Sequence, residues 1–255
     1  MAMDIGTEQR HAARRVRHET RRRLLTVKAI EDVTPRMRRI TFSADTMEGF
    51  ESLAPDDHIK LFFAAPEGPQ MRDFTPRRFD REAGTLVIDF ALHEAGPATS
   101  FAAGARIGDP LEIGGPRGSA VVADDFDWYW LIGDETALPA IGRWLEEARP
   151  GLPILTAIAI ADASERQAIE TKADWTTLWS LRSEAGTDDA AAFIALLAGQ
   201  PLPPGDGFIF IAAETNVARA VRRYLTEERG HLESWMKAAG YWKRGEADAH
   251  ERIED

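Results

Sequence analysis

The order of apolar and polar positions divides the chain into two regimes. From Leu24 to about Val122, short extended segments alternate with turns. LLTVKAIEDVTPRMRRITF holds two strand-like runs separated by Asp32 to Pro35, and DHIKLFFAA at 57–65, MRDFTPRRF at 71–79, TLVIDFALH at 85–93 and DPLEIGG at 109–115 follow. The alternation in TLVIDFALH is imperfect, as in a strand partly covered on both faces. GPATSFAAGA at 96–105 reads as a short helix, with Pro97 suited to its first turn. Six strands and one helix predict a small antiparallel β-barrel over 24–124.

Past Asp124, Asp125 and Asp127 the period changes. WYWLIG at 128–133 is a continuous apolar run, and in the following ETALPAIGRWLEEA the residues Leu138, Ile141 and Leu145 share a helical face. PILTAIAIA at 153–161 and TTLWSLR at 176–182 read as further strands, and DDAAAFIALLAG at 188–199 as a helix stopped by Gly199. FIFIAAE at 208–214 then leads into a helical stretch at 215–230. Strands alternating with helices predict a doubly wound parallel α/β domain over 125–255, with binding beyond the carboxyl ends of its strands.

Composition narrows the functional classes. With 255 residues, 44% of them hydrophobic and 29% charged, the chain can bury one large or two ordinary cores. The absence of cysteine excludes disulfides, Cys-ligated zinc, iron–sulfur clusters and thiol nucleophiles, and suits a reducing cytoplasm. No apolar run approaches the ~20 residues of a membrane span, and the N-terminus lacks a secretory apolar segment. A net charge of −11 argues against nucleic-acid binding. The first 23 residues nonetheless carry seven arginines against Asp4, Glu8 and Glu19, a local +4 that leaves −15 elsewhere. This arm reads as a mobile, solvated terminus, or as an adaptor for an acidic partner. The six histidines, His11, His18, His58, His93, His231 and His250, show no metal-ligand spacing, so no metal site is expected.

Three segments could carry chemistry. In RDFTPR at 72–77, an arginine suits a pyrophosphate, an aromatic two positions on offers a ring face, and a hydroxyl follows; Arg72 and Phe74 share a strand face, whereas Thr75 joins them only if the strand ends or bulges there. His93 with Gly96, Pro97, Ala98, Thr99 and Ser100 sits where a strand meets a helix N-terminus, which attracts phosphate. GGPRGS at 114–119 is a glycine-rich turn. Taken singly, each also reads as ordinary structure: a core phenylalanine beside an exposed arginine, helix caps with a surface histidine, a sharp turn.

Together, RDFTPRRFD, VIDFALH, GPATSFA, GDPLEIGGPRGS, DWYWLIGDETALPAI, IAAETNVARAVRRYL and GYWKRG stand in the order and at about the spacing of the siderophore-interacting protein family, the flavin-dependent ferric-siderophore reductases. The resemblance spans about residues 24–245. It implies a ferredoxin-reductase-like chain, an FAD-binding antiparallel barrel followed by a nicotinamide-binding α/β domain, which reduces ferric siderophores and so releases Fe(II). Arg72, Phe74 and Thr75 match the family's Arg-x-Tyr-Thr flavin motif, with Phe74 in the tyrosine's place. His93, Gly96, Ala98, Thr99 and Ser100 match its phosphate-holding segment, with Phe101 where Trp is usual.

The resemblance further implies a donor site. Gly133 and Thr136 lie in the shared GDET turn, and Ala213 with Glu214 in IAAE replaces the more usual Ala-Gly-Glu. NADH or NADPH is the expected donor, with a ferredoxin as the alternative that some relatives use. Asp134 and Glu135 read as helix caps, although two carboxylates there would repel phosphate unless they point away. Asp162, ending the second α/β strand, fits a ribose hydroxyl, with Arg166 nearby leaving NADPH open. For an anionic ferric siderophore, Lys60, Arg117, Lys243 and Arg244 are the matching cationic candidates, each otherwise a solvated surface charge; Trp242 beside them suits either an aromatic ligand or the core. A flavin or siderophore carrier that never turns over remains the non-catalytic alternative.

Overall fold

The computed structural model describes residues 10–64, 68–93, 96–246 and 251–253. Its first half is a curled antiparallel sheet of strands β2 (Arg22–Thr34), β3 (Met37–Ala44), β4 (Ile59–Phe63), β5 (Gln70–Phe74), β6 (Arg78–Asp80), β7 (Thr85–Ala91) and β8 (Pro110–Gly114), in the order β5-β4-β8-β2-β3-β7-β6. Leu25, Ile40, Phe42, Leu61, Ile88 and Phe90 fill its interior. Helix α1 (Pro97–Gly104) covers one end.

Seven strands replace the six expected, because 71–79 is two strands rather than one. Pro76 has no N–H to give a ladder and disfavours regular geometry at Thr75, so the chain leaves β5 and re-enters the sheet at its opposite edge as β6. The break puts Thr75 on the same cavity wall as Arg72 and Phe74.

The N-terminal segment is also corrected. From Arg10 onward it is built into the fold: β1 (Arg14–Arg17) pairs antiparallel with β9 (Gly118–Val121), and a side chain at Gly118 would collide with the Val16 carbonyl. His11 stacks on Phe126 with ring centroids 4.0 Å apart and bonds Asp125 at 2.8 Å and Asp206 at 3.0 Å. Local acid partners thus hold what net charge alone presents as a solvated arm. Residues 1–9 of that arm, and His250, lie outside the described residues.

The second half is a six-stranded sheet in the order β12-β11-β10-β13-β14-β15, where β10 is Trp128–Asp134, β11 Pro153–Ile160, β12 Asp174–Leu181, β13 Gly207–Glu214, β14 Met236–Trp242 and β15 Glu251–Arg252. All its pairings are parallel except β14 with β15. Both faces are covered, which is why WYWLIG shows no alternation: Tyr129 and Leu131 enter one core, Trp128, Trp130 and Ile132 the other. Helices α2 (Leu138–Glu147), α4 (Asp189–Ala198) and α5 (Thr215–Arg223) provide the cover, while α3 (Arg182–Ala185) is a single turn after β12. The helix expected to 230 changes to a π-helical turn at Tyr224–Glu228. Strand order reverses between β10 and β13, so their carboxyl ends form the switch-point crevice of a doubly wound sheet.

The halves are joined by buried ion pairs. Arg77, 4% exposed on its side chain, bonds Glu146 of α2 through two contacts of 2.6 Å and lies 3.7 Å from Asp89 of β7. Arg143 reaches back from α2 to Ser52 Oγ at 2.8 Å and to the Pro76 carbonyl at 3.3 Å.

Candidate functional site

A cavity of about 890 Å³ opens where the barrel meets the switch point, a volume that suits a cofactor-sized ligand. On the barrel side its wall includes Arg72, Phe74 and Thr75, with His93, Gly96, Ala98 and Thr99 at the end of α1. On the α/β side it includes Glu135, Thr136 and Pro139, and Tyr241 to Glu246 close it. Segments far apart in sequence are therefore brought to one place.

The donor set suits a flavin dinucleotide. Arg72 is half-buried, and among the described residues its guanidinium bonds only the Met71 carbonyl at 2.7 Å and Gln70 Oε1 at 3.2 Å, with no carboxylate of that set pairing its charge. Gly96, the N-cap residue of α1, makes no side-chain cap, and among the described residues, its chain neighbours aside, nothing lies within 4 Å of where a Gly96 Cβ would stand. The first turn of α1 thus keeps the positive end of its dipole for an anion. Phe74 packs on Phe90 at 4.8 Å and leaves part of its ring on the wall. Ser100 is exposed and off the wall; its amide donates to the Gly96 carbonyl at 2.8 Å.

On the opposite side the acidic turn resolves differently from a helix cap. α2 is capped by no side chain. Asp134 is 1% exposed and off the cavity wall, accepting from the amide and hydroxyl of Thr136 at 2.9 and 2.6 Å, the Glu214 amide at 3.2 Å and Trp242 Nε1 at 2.8 Å. Burial, with Glu135 beside it, pushes its carboxyl up to about 6 against those bonds. Glu135 is held by Arg182, which also binds Asp189; burial opposes the arginine's charge, but both acids hold its proton more firmly than usual. One carboxylate turned inward and one paired remove the objection to phosphate at this turn.

The other candidates divide between the wall and places away from it. Gly133 is a packing residue, since a methyl there would strike Ala137 and the Ala212 carbonyl. Ala213 is buried within β13, and Glu214 caps α5 by accepting from the Asn216 and Val217 amides. Lys60 stands off the cavity wall and bonds Asp73 at 2.7 Å. Arg117 is exposed beside β9, away from the wall. Lys243 and Arg244 do line the mouth, Lys243 paired with Glu246. Asp162 caps a short turn by accepting from Ser164 and is absent from the wall. Trp242 lines the wall while its indole N–H is spent on Asp134.

Asp89 and Tyr241 are among the lining residues that carried no expectation. Asp89 sits in an otherwise apolar strand and bonds Arg39 through two contacts of 2.7 Å; a charge inside a buried run is the signal that would have found it. Tyr241 is packed against the α/β core, and burial, then Asp56, Asp57, Asp134 and Asp73, hold its hydroxyl well above its ordinary pKa.

Residues 126–245 match the family model described as siderophore-interacting protein, and residues 26–70 and 64–120 match that of a siderophore-interacting FAD-binding domain. The chain is 31% identical to the NADPH-dependent ferric-chelate reductase of Escherichia coli, over 89% of this chain and 95% of that protein. Ferric vibriobactin reductase ViuB of Vibrio cholerae is 27% identical over 88% and 90%. Among solved structures, a siderophore utilization protein from T. fusca superposes with a TM-score of 0.87 at 31% identity, covering 93% of this chain and 98% of that one.

Proposed function

The chain belongs to the siderophore-interacting protein family, and from that premise we propose how its own residues run the family's chemistry. The protein is a flavin-dependent oxidoreductase that reduces ferric siderophores with electrons from NAD(P)H. FAD, when bound, accepts a hydride and returns electrons singly. Reduction frees the iron because hydroxamate and catecholate oxygens hold Fe(III) far better than Fe(II).

Arg72 and the first turn of α1 hold the diphosphate, Phe74 gives the ring system a face to lie on, and Thr75 supplies a hydroxyl at its polar edge. Thr136 and Pro139 border the donor side, where α2 begins at the switch point. Lys243 and Arg244 meet an anionic ferric siderophore at the mouth. We place the reaction in the cytoplasm, where reduced nicotinamide is made; no described helix is long and apolar enough to cross a membrane.

The observation that carries this reading is a single cavity bounded by Arg72, which pairs with no described acid, and the uncapped α1 on one side and by the turn after β10 and the end of β14 on the other. Its test is the visible spectrum of the purified protein before and after anaerobic NADH or NADPH, then after a ferric chelate. The flavin should bleach with a nicotinamide and recolour with the chelate. A spectrum that bleaches with neither nicotinamide but does so with a reduced ferredoxin would transfer the donor role to that protein. One that never recolours would make the protein a carrier.

A further inference from the structure

Asp134 ends β10 buried and bonded to two residues of the cavity wall, Thr136 and Trp242, and its two oxygens are chemically unequal. Oδ2 faces the Glu214 amide and the Trp242 indole N–H, donors with no lone pair to offer in return. Oδ1 faces the Thr136 amide and the Thr136 hydroxyl, and a hydroxyl accepts as readily as it donates. A proton on Oδ2 would confront two N–H groups. On Oδ1 it is accommodated by reversing a single hydrogen bond, so that Asp134 donates to Thr136 Oγ1 and the Thr136 hydroxyl hydrogen turns toward the cavity it lines.

The reaction leaves a proton to be moved. Each turnover breaks one C–H bond of the reduced nicotinamide and delivers its two electrons to two ferric centres, so two Fe(II), one oxidised nicotinamide and one H⁺ result. We propose that Thr136 and Asp134 are the relay for that proton: Thr136 Oγ1 accepts it from the cavity while the hydroxyl's own hydrogen passes to Asp134 Oδ1, and the reverse exchange returns it to solvent once product leaves. This rests on the reading of the cavity as the flavin site.

The surroundings favour Asp134 for this task. Its carboxyl, pushed up by burial to about 6, exchanges protons near neutral pH. Glu135, on the same turn, is bound by Arg182, and Glu214, on β13, is occupied with the α5 amides. On β14 the Tyr241 hydroxyl is held protonated by burial and by surrounding acids. Past β14, Lys243 pairs with Glu246 and the Arg244 amide donates to Glu214. His58 and His93 stand on the barrel side of the cavity.

Two measurements test the relay. Infrared titration of the purified protein, without donor or chelate, should show a protonated-carboxyl band growing in near pH 6 in the wild type and missing in Asp134→Asn. In stopped flow, chemically pre-reduced protein mixed with a ferric chelate should slow about tenfold between pH 7 and pH 5. Asp134→Asn and Thr136→Val should both be about tenfold slower than wild type at pH 7 and lack that acidic limb, and Thr136→Ser should restore rate and limb. Should Asp134→Asn fail to fold, Thr136→Val still decides. Wild-type rate and pH profile in Thr136→Val with full flavin content would overturn the relay, as would survival of both band and limb in Asp134→Asn. Failure of the functional reading is distinct: the wild type would hold no flavin or reduce no ferric chelate, while its infrared band would be unaffected.

Discussion

Arg72 shows what a residue in the right environment can do and how far its sequence context reveals it. Most arginines near the domain junction are spent on acids: Arg39 on Asp89, Arg77 on Glu146, Arg182 on Glu135 and Asp189. Among the described residues Arg72 bonds only neutral oxygens, and it lines the cavity. Arg72→Ala should therefore weaken FAD by about 1.5–3 kcal/mol, or about one to two decades in Kd, with folding intact. Flavin titration of the apoprotein measures it, and an unchanged Kd removes Arg72 from the site. The RDFT segment was legible because type and spacing carry its chemistry. Lys60 and Arg117 were not separable from the mouth cations by sequence, because a lysine's charge says nothing of the Asp73 that pairs with it across β4 and β5. The inward turn of Asp134 was equally hidden, since its indole donor lies 108 positions away.

Elements depend on one another at the junction, and this level was only half legible. The continuous apolar runs announced the parallel strands, but β14 escaped because Ala238, Ala239 and Gly240 leave little apolar signal. Gly240 is small for a reason: a Cβ there would collide with Thr215. Helix α2 meets the barrel equally closely, for a Cβ on Gly142 would come within 2.8 Å of the Arg77 guanidinium. Gly142→Ala should push Arg77 off Glu146 and cost about 1–3 kcal/mol, read as a lowered denaturation midpoint. A midpoint equal to wild type would mean that Arg77 moves freely. The same contact governs stability in acid. Although burial alone would raise it, Glu146 is held at about 2 by Arg77 and Arg78, below its ordinary 4.5. A carboxyl depressed in the folded state stabilises above its unfolded pKa, so this contribution is present above pH 4.5 and lost as pH falls toward 2. Glu146→Gln should be less stable than wild type at pH 7, and the gap should close through that window. A gap that stays constant down to pH 2 would show that the ion pairs carry no folding energy.

Across the whole molecule, the charge of −11 opposes the approach of an anionic ferric siderophore, while the cavity mouth carries Lys243 and Arg244. The two effects have different ranges. The net field is screened over a Debye length of about 8–10 Å at ordinary ionic strength, whereas a cation at the mouth acts at contact. Arg244 is exposed and pairs with no acid among the described residues, so its full charge faces the entering ligand; Lys243 is shared with Glu246. Arg244→Ala should accordingly raise KM for an anionic ferric chelate several-fold, leave KM for a neutral chelate and the flavin content unchanged, and reduce the salt dependence of the anionic reaction. Lys60→Ala should behave otherwise. Its partner Asp73 already has one buried oxygen without a hydrogen-bond donor among the described residues, so losing the ammonium weakens the pairing of a largely buried carboxylate and lowers stability, with anionic and neutral chelates affected alike. Steady-state reduction of one anionic and one neutral chelate by the wild type and both variants, at low and high salt, separates them. Equal effects of Arg244→Ala on the two chelates would mean that capture depends on the shape of the cavity and not on charge at its mouth.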